Sequence, residues 1–324
     1  MSILSQKQFH DEAAAFAYVE AELWPNGPVC PHCGGVDRIS AIKPNPEKKV
    51  RIGLKFCGQC RKQFTVRVGT IFEDSHLPMT KWLQAIFLMC SSKKGVSSHQ
   101  LMRTLETTYK TAWFLTHRIR EAMRSGALAP FGQNGGIVEV DETFIARDPN
   151  VPALKDKQHS IHNMRKVLSL IDRETGAARS FVIKDLRTAT IAPILDANIS
   201  REAWLMTDEA HRYTMLGWNF AAHSTVNHAR GEYVAKNDIR IHTNTIEGFY
   251  SIFKRGMRGV YQHCSNKHLH RYVAEFDFRY SNRVAVGVDD QTRANIALMG
   301  VVGKRLTYRR TGGWAASTQD GAQA

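Results

Sequence analysis

Long apolar runs are scarce in this chain of 324 residues. The stretch WLQAIFLMC (82–90) contains Gln84 and falls far short of the ~20 residues a membrane-spanning helix needs, so no transmembrane segment is expected. No secretory leader is expected either. The opening MSILSQKQFHDEAAAFAYVEAELWP mixes acids into its alanine-rich part and lacks a basic start followed by an apolar run. The expected location is therefore cytoplasmic. Acidic residues are in deficit, 30 Asp and Glu against 44 Lys and Arg. The resulting pI near 9.6 implies a positive field that attracts a polyanion, nucleic acid ahead of a membrane surface. With 43% hydrophobic residues there is material for a sizeable core, and the length suits two or three folded units.

Cysteine is also sparse, six in all, but four of the six fall into two matched knuckles. These are CPHCGG, with Cys30 and Cys33, and FCGQCRKQF, with Cys57 and Cys60. Two residues between cysteines let both thiolates reach one tetrahedral ion, and the intervening segment is long enough for a hairpin that returns the second pair. A disulfide does not suit a reducing compartment, and a thioredoxin-like site needs one such motif, not two. A closed four-cysteine site leaves no open coordination position, so the expected zinc is structural. Lys55, Arg61, Lys62 and Arg67 around it suit phosphate contact or a solvated charged face. Cys90 and Cys264 read as ordinary residues.

Between 76 and 126 the pattern turns helical, with three helices separated by polar turns. Ser97 or Ser98 caps a helix ending near Glu106, and a second runs from Tyr109 to Met123 with Trp113, Leu115 and Ile119 inward. Those lengths match a helix-turn-helix, whose second helix would offer Lys110, Thr111, His117, Arg118 and Arg120 as polar contacts.

After residue 135, Ile137, Val138 and Val140 mark a strand that delivers Asp141 near its end. RKVLSLIDRETGAARSFVIKD reads as a hairpin turning around Glu174, Thr175 and Gly176. A helix, TATIAPILDANI, and a strand ending at Asp208 follow, and FAAHSTVNHAR suggests one more strand. The helical run from 243 then carries Glu247 and, about two turns later, Lys254. This order is that of an RNase H-like α/β domain. Asp141, Asp208 and Glu247 brought together would repel one another unless divalent cations neutralised them, and hard oxygen ligands suit magnesium or manganese. Glu142 and Glu209 are neighbouring rivals. Asn244 stands three residues before Glu247 on roughly the same helical face and is an alternative ligand.

Taken together, WPNGPVCPHCGG, FCGQCRKQFTVRVGTIFEDSHLPMTKW, VEVDETFI, MTDEAHRY and NTIEGFYSIFKRGMRGVYQHCSNKHLHRYVAEFDFRYSNR resemble a bacterial insertion-sequence transposase of the DDE class with an N-terminal zinc ribbon, the ISXO2-like group. The resemblance runs to about residue 283. It implies a multidomain α/β protein: an N-terminal helical segment (1–27), a zinc ribbon (28–70), a helix-turn-helix DNA-binding domain (76–126) and an RNase H-like catalytic domain (135–285). A polar tail (303–324) would be disordered. Carried over residue by residue, it makes Asp141 and Asp208 the catalytic aspartates, Glu247 the third acid, with Asn244 as the alternative, and Lys254 the accompanying base. The implied cofactors are one structural zinc ion per chain and two catalytic magnesium or manganese ions. The implied partners are double-stranded DNA, as element ends and target, and further copies of the chain assembled on that DNA. The competing readings are a non-catalytic DNA-binding regulator and an RNase H-like nuclease that cuts without joining.

Overall fold

The structure, a computed structural model, describes residues 2–124, 126, 129–152, 161–227, 233–236 and 238–307. The described residues form two units, one from 2–124 with 288–307, the other from within 125–287. Of the tail expected to be disordered, 308–324 lie outside the described residues.

The first unit begins with α1 (Glu12–Leu23), entered at Asp11, whose carboxylate accepts the Ala14 N–H at 3.0 Å. Three short strands, β1 (Ile39–Ala41), β2 (Lys55–Cys57) and β3 (Gln63–Phe64), pair antiparallel in the order β1-β2-β3. The run WLQAIFLMC falls in α2 (Met79–Ser91), which buries residues on most of its circumference, as a helix central to its unit does. Its own N-cap position, Pro78, offers no capping side chain, and Glu12 of α1 fills that role by accepting the Met79 and Thr80 N–H groups at 2.8 and 3.2 Å. Two further helices follow, α3 (Ser98–Thr104) and α4 (Tyr109–Met123). Ser97 and Thr108 cap them, each accepting the N–H three residues on.

The second unit is built on five strands. In chain order these are β4 (Ile137–Arg147), β5 (Met164–Asp172), β6 (Ala178–Ile183), β7 (Trp204–Asp208) and β8 (Ala222–Val226). Their order across the sheet is β6-β5-β4-β7-β8; the first three are antiparallel, and β7 and β8 run parallel to β4. A three-stranded meander extended by two parallel strands is the RNase H-like arrangement. The β5–β6 turn forms as read, with Asp172 Oδ1 accepting the N–H groups of Glu174 and Thr175 and with Gly176 at φ 67°. Helices α5 (Thr188–Asn198) and α6 (His211–Gly217) connect β6 to β7 and β7 to β8. They pack Ile191, Leu195, Tyr213 and Leu216 against Val138, Val140, Leu168 and Leu170 on one face of the sheet. Helices α7 (Asn244–Gly256) and α8 (Leu269–Ser281) cover the other face, where Phe249, Phe253, Val273 and Phe276 meet Ile145, Val167 and Ile171. The described residues after 287 belong to the first unit, where α9 (Asp290–Met299) packs against α1, α2 and α4.

Strand β4 is longer than the sequence reading made it. Asp141 sits mid-strand, because β4 continues to Arg147 and keeps pairing with β5 as far as Met164. The acids Asp141 and Glu142 are poor strand formers and hid this continuation. What does end near Asp141 is the pairing with β7, last seen at Glu139–Met206. The chain also stays engaged past 302. Gly303 N–H bonds the Gly69 carbonyl, and Lys304 Nζ donates to the carbonyls of Ala122 and Arg124 at the end of α4.

Candidate active site and zinc ribbon

Side chains alternate along a strand, so Glu139 and Asp141 share the α7–α8 face of β4 while Glu142 points to the opposite one. The parallel register pairs Ile137 with Trp204, Val138 with Leu205 and Glu139 with Met206. Continued two rungs further, the same offset sets Asp141 level with Asp208, the last residue of β7. Asp208 also shapes its own turn, since Oδ1 accepts the Ala210 N–H at 3.0 Å. Glu247 lies in the first turn of α7, and its charge bears on Asp141. All three acids are half-buried, whereas Asn244 is exposed at the head of the helix.

Electrostatics tie these acids together. Burial pushes the Asp141 carboxyl up to about 8. The Glu142 N–H, 2.7 Å from Asp141 Oδ1, opposes that rise, and the charges of Glu142, Asp208 and Glu247 add to it. An isolated carboxyl in that state holds its proton at neutral pH. A divalent cation within reach would reverse the balance, so the donor set, all hard oxygens, fits magnesium or manganese. Glu142 is buried and raised by desolvation, and its Oε1 lies 3.1 Å from Arg212 Nε of α6, so it serves the other face of the sheet. Glu209 is exposed. Lys254, half-buried on α7 seven residues after Glu247, has no ion-pair partner among the described residues.

Three residues of this neighbourhood escaped the sequence reading. Tyr250 of α7 donates its hydroxyl to the Asp141 carbonyl at 2.5 Å. Glu139, fully buried, bonds the Ile246 N–H at 2.8 Å, and Arg173 pairs with it at 2.5 Å. One signal was available: an acid two residues before Asp141 must fall on the same strand face.

In the ribbon the four cysteine sulfurs lie within 4.8 Å of one another, and Cys30–Cys60 and Cys33–Cys57 are each 3.7 Å apart. A tetrahedron with Zn–S bonds of ~2.3 Å has edges of roughly 3.8 Å, so the quartet has the spacing of a structural zinc site. Each knuckle closes identically, with the Gly34 N–H on the Cys30 carbonyl and the Arg61 N–H on the Cys57 carbonyl, both residues in the left-handed region. Among the described residues no group of carboxylates converges as closely as these thiols.

The polar contacts expected of α4 require a correction. His117, Arg118 and Arg120, expected as polar contacts, are all buried. Arg118 donates to the carbonyls of Ile71, Glu73 and Leu306, and Arg120 to Thr116 Oγ1. A guanidinium can be buried when oxygens of the fold accept its N–H groups, as carbonyls do for Arg118 and the Thr116 hydroxyl does for Arg120. Only Lys110 and Thr111, in the first turn of α4, remain exposed. In the turn after α7, Arg258 is exposed and Tyr261 donates its hydroxyl to the buried Glu275.

Fold and site together define a zinc-ribbon protein with an RNase H-like domain that gathers acids beside the middle of its sheet. Comparison with known proteins narrows this. A family described as "ISXO2-like transposase domain" matches residues 133–281, and one described as "Transposase zinc-ribbon domain" matches residues 10–63. Residues 133–281 thus carry the features of an ISXO2-like transposase domain, and residues 10–63 those of a transposase zinc ribbon. The ribbon match begins before the cysteines and takes in α1, which the sequence reading had set apart. A relative from Halobacterium salinarum, described as "Uncharacterized protein in transposable element ISH50", is 27% identical over 288 residues, 84% of this chain and 92% of the relative. Among solved structures, a chain of the simian T-cell lymphotropic virus intasome in complex with PP2A regulatory subunit B56 gamma is similar at a TM-score of 0.27 and 11% identity. That similarity covers 55% of this chain and 63% of the other, less than two thirds of its length. Among the described residues no helix is long and apolar enough to cross a membrane.

Proposed function

We propose that this transposase binds the terminal inverted repeats of its insertion sequence and catalyses metal-dependent strand cleavage and strand transfer in the cytoplasm. Asp141, Asp208 and Glu247 are the catalytic carboxylates of this reading. The observation that carries it is that Asp141 and Asp208 each lie two residues past the last paired rung of adjacent parallel strands, with the charges of Asp208 and Glu247 bearing on Asp141. Two magnesium or manganese ions bound by the three acids would neutralise the accumulating negative charge and activate the nucleophile. Water attacks the phosphodiester at the element end and frees a 3′ hydroxyl, which then attacks a phosphodiester of target DNA. Both steps are in-line displacements at phosphorus, so one set of side chains serves both. Lys254 holds a phosphate as a point charge. Lys110 and Thr111, with Arg61 and Lys62 of the ribbon, contact DNA phosphates. Holding two ends at once requires at least two protomers on the DNA.

The test incubates the full chain with a labelled duplex carrying the flanking repeats and magnesium or manganese, comparing it with Asp141→Ala, Asp208→Ala, Glu247→Ala and Asn244→Ala. Cleavage and joining abolished by the aspartate variants and by Glu247→Ala, but retained by Asn244→Ala, is the expected result. Loss with Asn244→Ala and survival with Glu247→Ala would transfer the third role to Asn244. Cutting without joining would make the protein a nuclease, and binding without either a regulator.

A further inference from the structure

Thr243, at the N-cap of α7, makes no side-chain capping bond. The first turn of α7 is capped from across the fold, because Glu139 Oε2 accepts the Ile246 N–H at 2.8 Å. The other oxygen, Oε1, takes Arg173 Nε at 2.5 Å and lies 3.4 Å from His242 Nδ1. Arg173 spreads the rest of its fork over the segment entering α7, donating to the carbonyls of Arg240 and His242 at 2.6 and 2.7 Å. At the same end of the site, Tyr250 ties α7 to the Asp141 carbonyl.

We infer that Glu139, oriented by Arg173, is a positioning residue that fixes the first turn of α7 against β4 and thereby sets Glu247 opposite Asp141. This rests on the reading of Glu247 as a catalytic carboxylate. A buried charge contributes little to stability compared with a well-packed apolar side chain, and β4 places valines at 138 and 140 where packing alone is needed. What a carboxylate adds at 139 is two acceptors at fixed positions, one aimed at the helix end and one at Arg173, whose fork reaches the loop before it. Glu247 is the residue immediately after Ile246, so the capped N–H restrains both its height along the helix axis and its rotation about it. Ligand sets of this kind need their donors held within ~0.5 Å.

Glutamine at 139 has one acceptor for two donors, so Glu139→Gln releases either Ile246 or Arg173. Arg173→Lys leaves Glu139 charged but removes the fork that reaches two carbonyls. The probe is Mn2+ alone, its affinity for the full chain measured from the electron paramagnetic resonance signal of the free ion. Each variant is made in the wild-type and the Glu247→Gln backgrounds. In the wild-type background each is expected to weaken Mn2+ binding by on the order of ten-fold. In the Glu247→Gln background neither is expected to change it, because both act through that one ligand. Unchanged affinity in the wild-type background, or equal weakening in both, overturns the inference while leaving the catalytic reading intact. If the wild-type chain binds no Mn2+, the catalytic reading itself fails and takes the inference with it. Should Glu139→Gln lose its near-ultraviolet circular dichroism, Arg173→Lys carries the same comparison; loss of fold in both makes the pair a folding element and overturns the inference.

Discussion

Asp277 of α8 shows how a single buried group shapes the pH response. Its two oxygens accept the Ser180 N–H and hydroxyl at 2.8 and 2.6 Å, and Ser180 in turn shares a 2.7 Å bond with Ser169 in the row beside Asp141. Burial pushes the Asp277 carboxyl up to about 7, with those bonds and the Arg179 charge working against the rise. A raised folded-state pKa means that the native chain holds this proton more tightly than the unfolded one. The associated stability is complete below the ordinary carboxylate value of 3.8, declines as pH rises and is gone above about 7. Asp277→Asn removes the titration, so its unfolding free energy relative to wild type is expected to climb between pH 4 and 7 and then level off. Urea midpoints across that range check it, and parallel profiles would show that Asp277 does not titrate this way. Arg118 makes a second prediction at this scale. Its guanidinium serves three backbone carbonyls, so Arg118→Ala is expected to cost about 3 kcal/mol of stability through the stranded acceptors. The salt dependence of DNA binding should stay as in wild type. Lys110→Ala should do the reverse, leaving the denaturation midpoint in place and reducing the salt slope by about one.

Among elements, the ribbon depends most on something other than its own packing. Strands of two and three residues are far below independent stability, and its buried side chains are few, chiefly Cys30, Cys57 and Phe64 with Trp24 against them. Metal chelation is therefore expected to open residues 30–64 to limited proteolysis while the α7–α8 segment stays protected. Cys57→Ser should do the same without chelator. A ribbon equally resistant in both states would remove zinc from its folding. Helices α3 and α4 were largely legible in the sequence, since a serine at 97 or 98 announces the start of α3 and apolar spacing carries both. Strand β4 was only half legible. Its apolar alternation stops at the acids, and its continuation to Arg147 depends on a partner, β5, that no local window contains.

For the molecule as a whole, α9 is the decisive feature. The described chain after 287 belongs to the first unit, where Arg293 donates to the Cys90 carbonyl, Tyr18 to Asn295, and the Ile71 N–H to the Val301 carbonyl. Truncation after Gly287 strips that unit of a helix and of Lys304 at the end of α4. Calorimetry of the truncated chain is expected to show the transition of the first unit lost or moved well down in temperature, with that of the second retained. If both transitions persist unchanged, α9 is dispensable.

The sequence alone indicated the two cysteine knuckles, the helices α3 and α4, and the succession of strands and helices in the second unit. Each of these is written in short-range spacing: two residues between thiols, a capping hydroxyl before an apolar period, an alternation broken by a turn. Only the tertiary structure decided that β4 and β7 run side by side with Glu139 opposite Met206, that Glu139 caps α7, that Arg118 and Arg120 point inward and that α9 joins the first unit. The reason is physical. A carboxylate or guanidinium looks the same in sequence whether it meets water, a cation or a helix end, and its partner is chosen by packing between segments far apart in the chain.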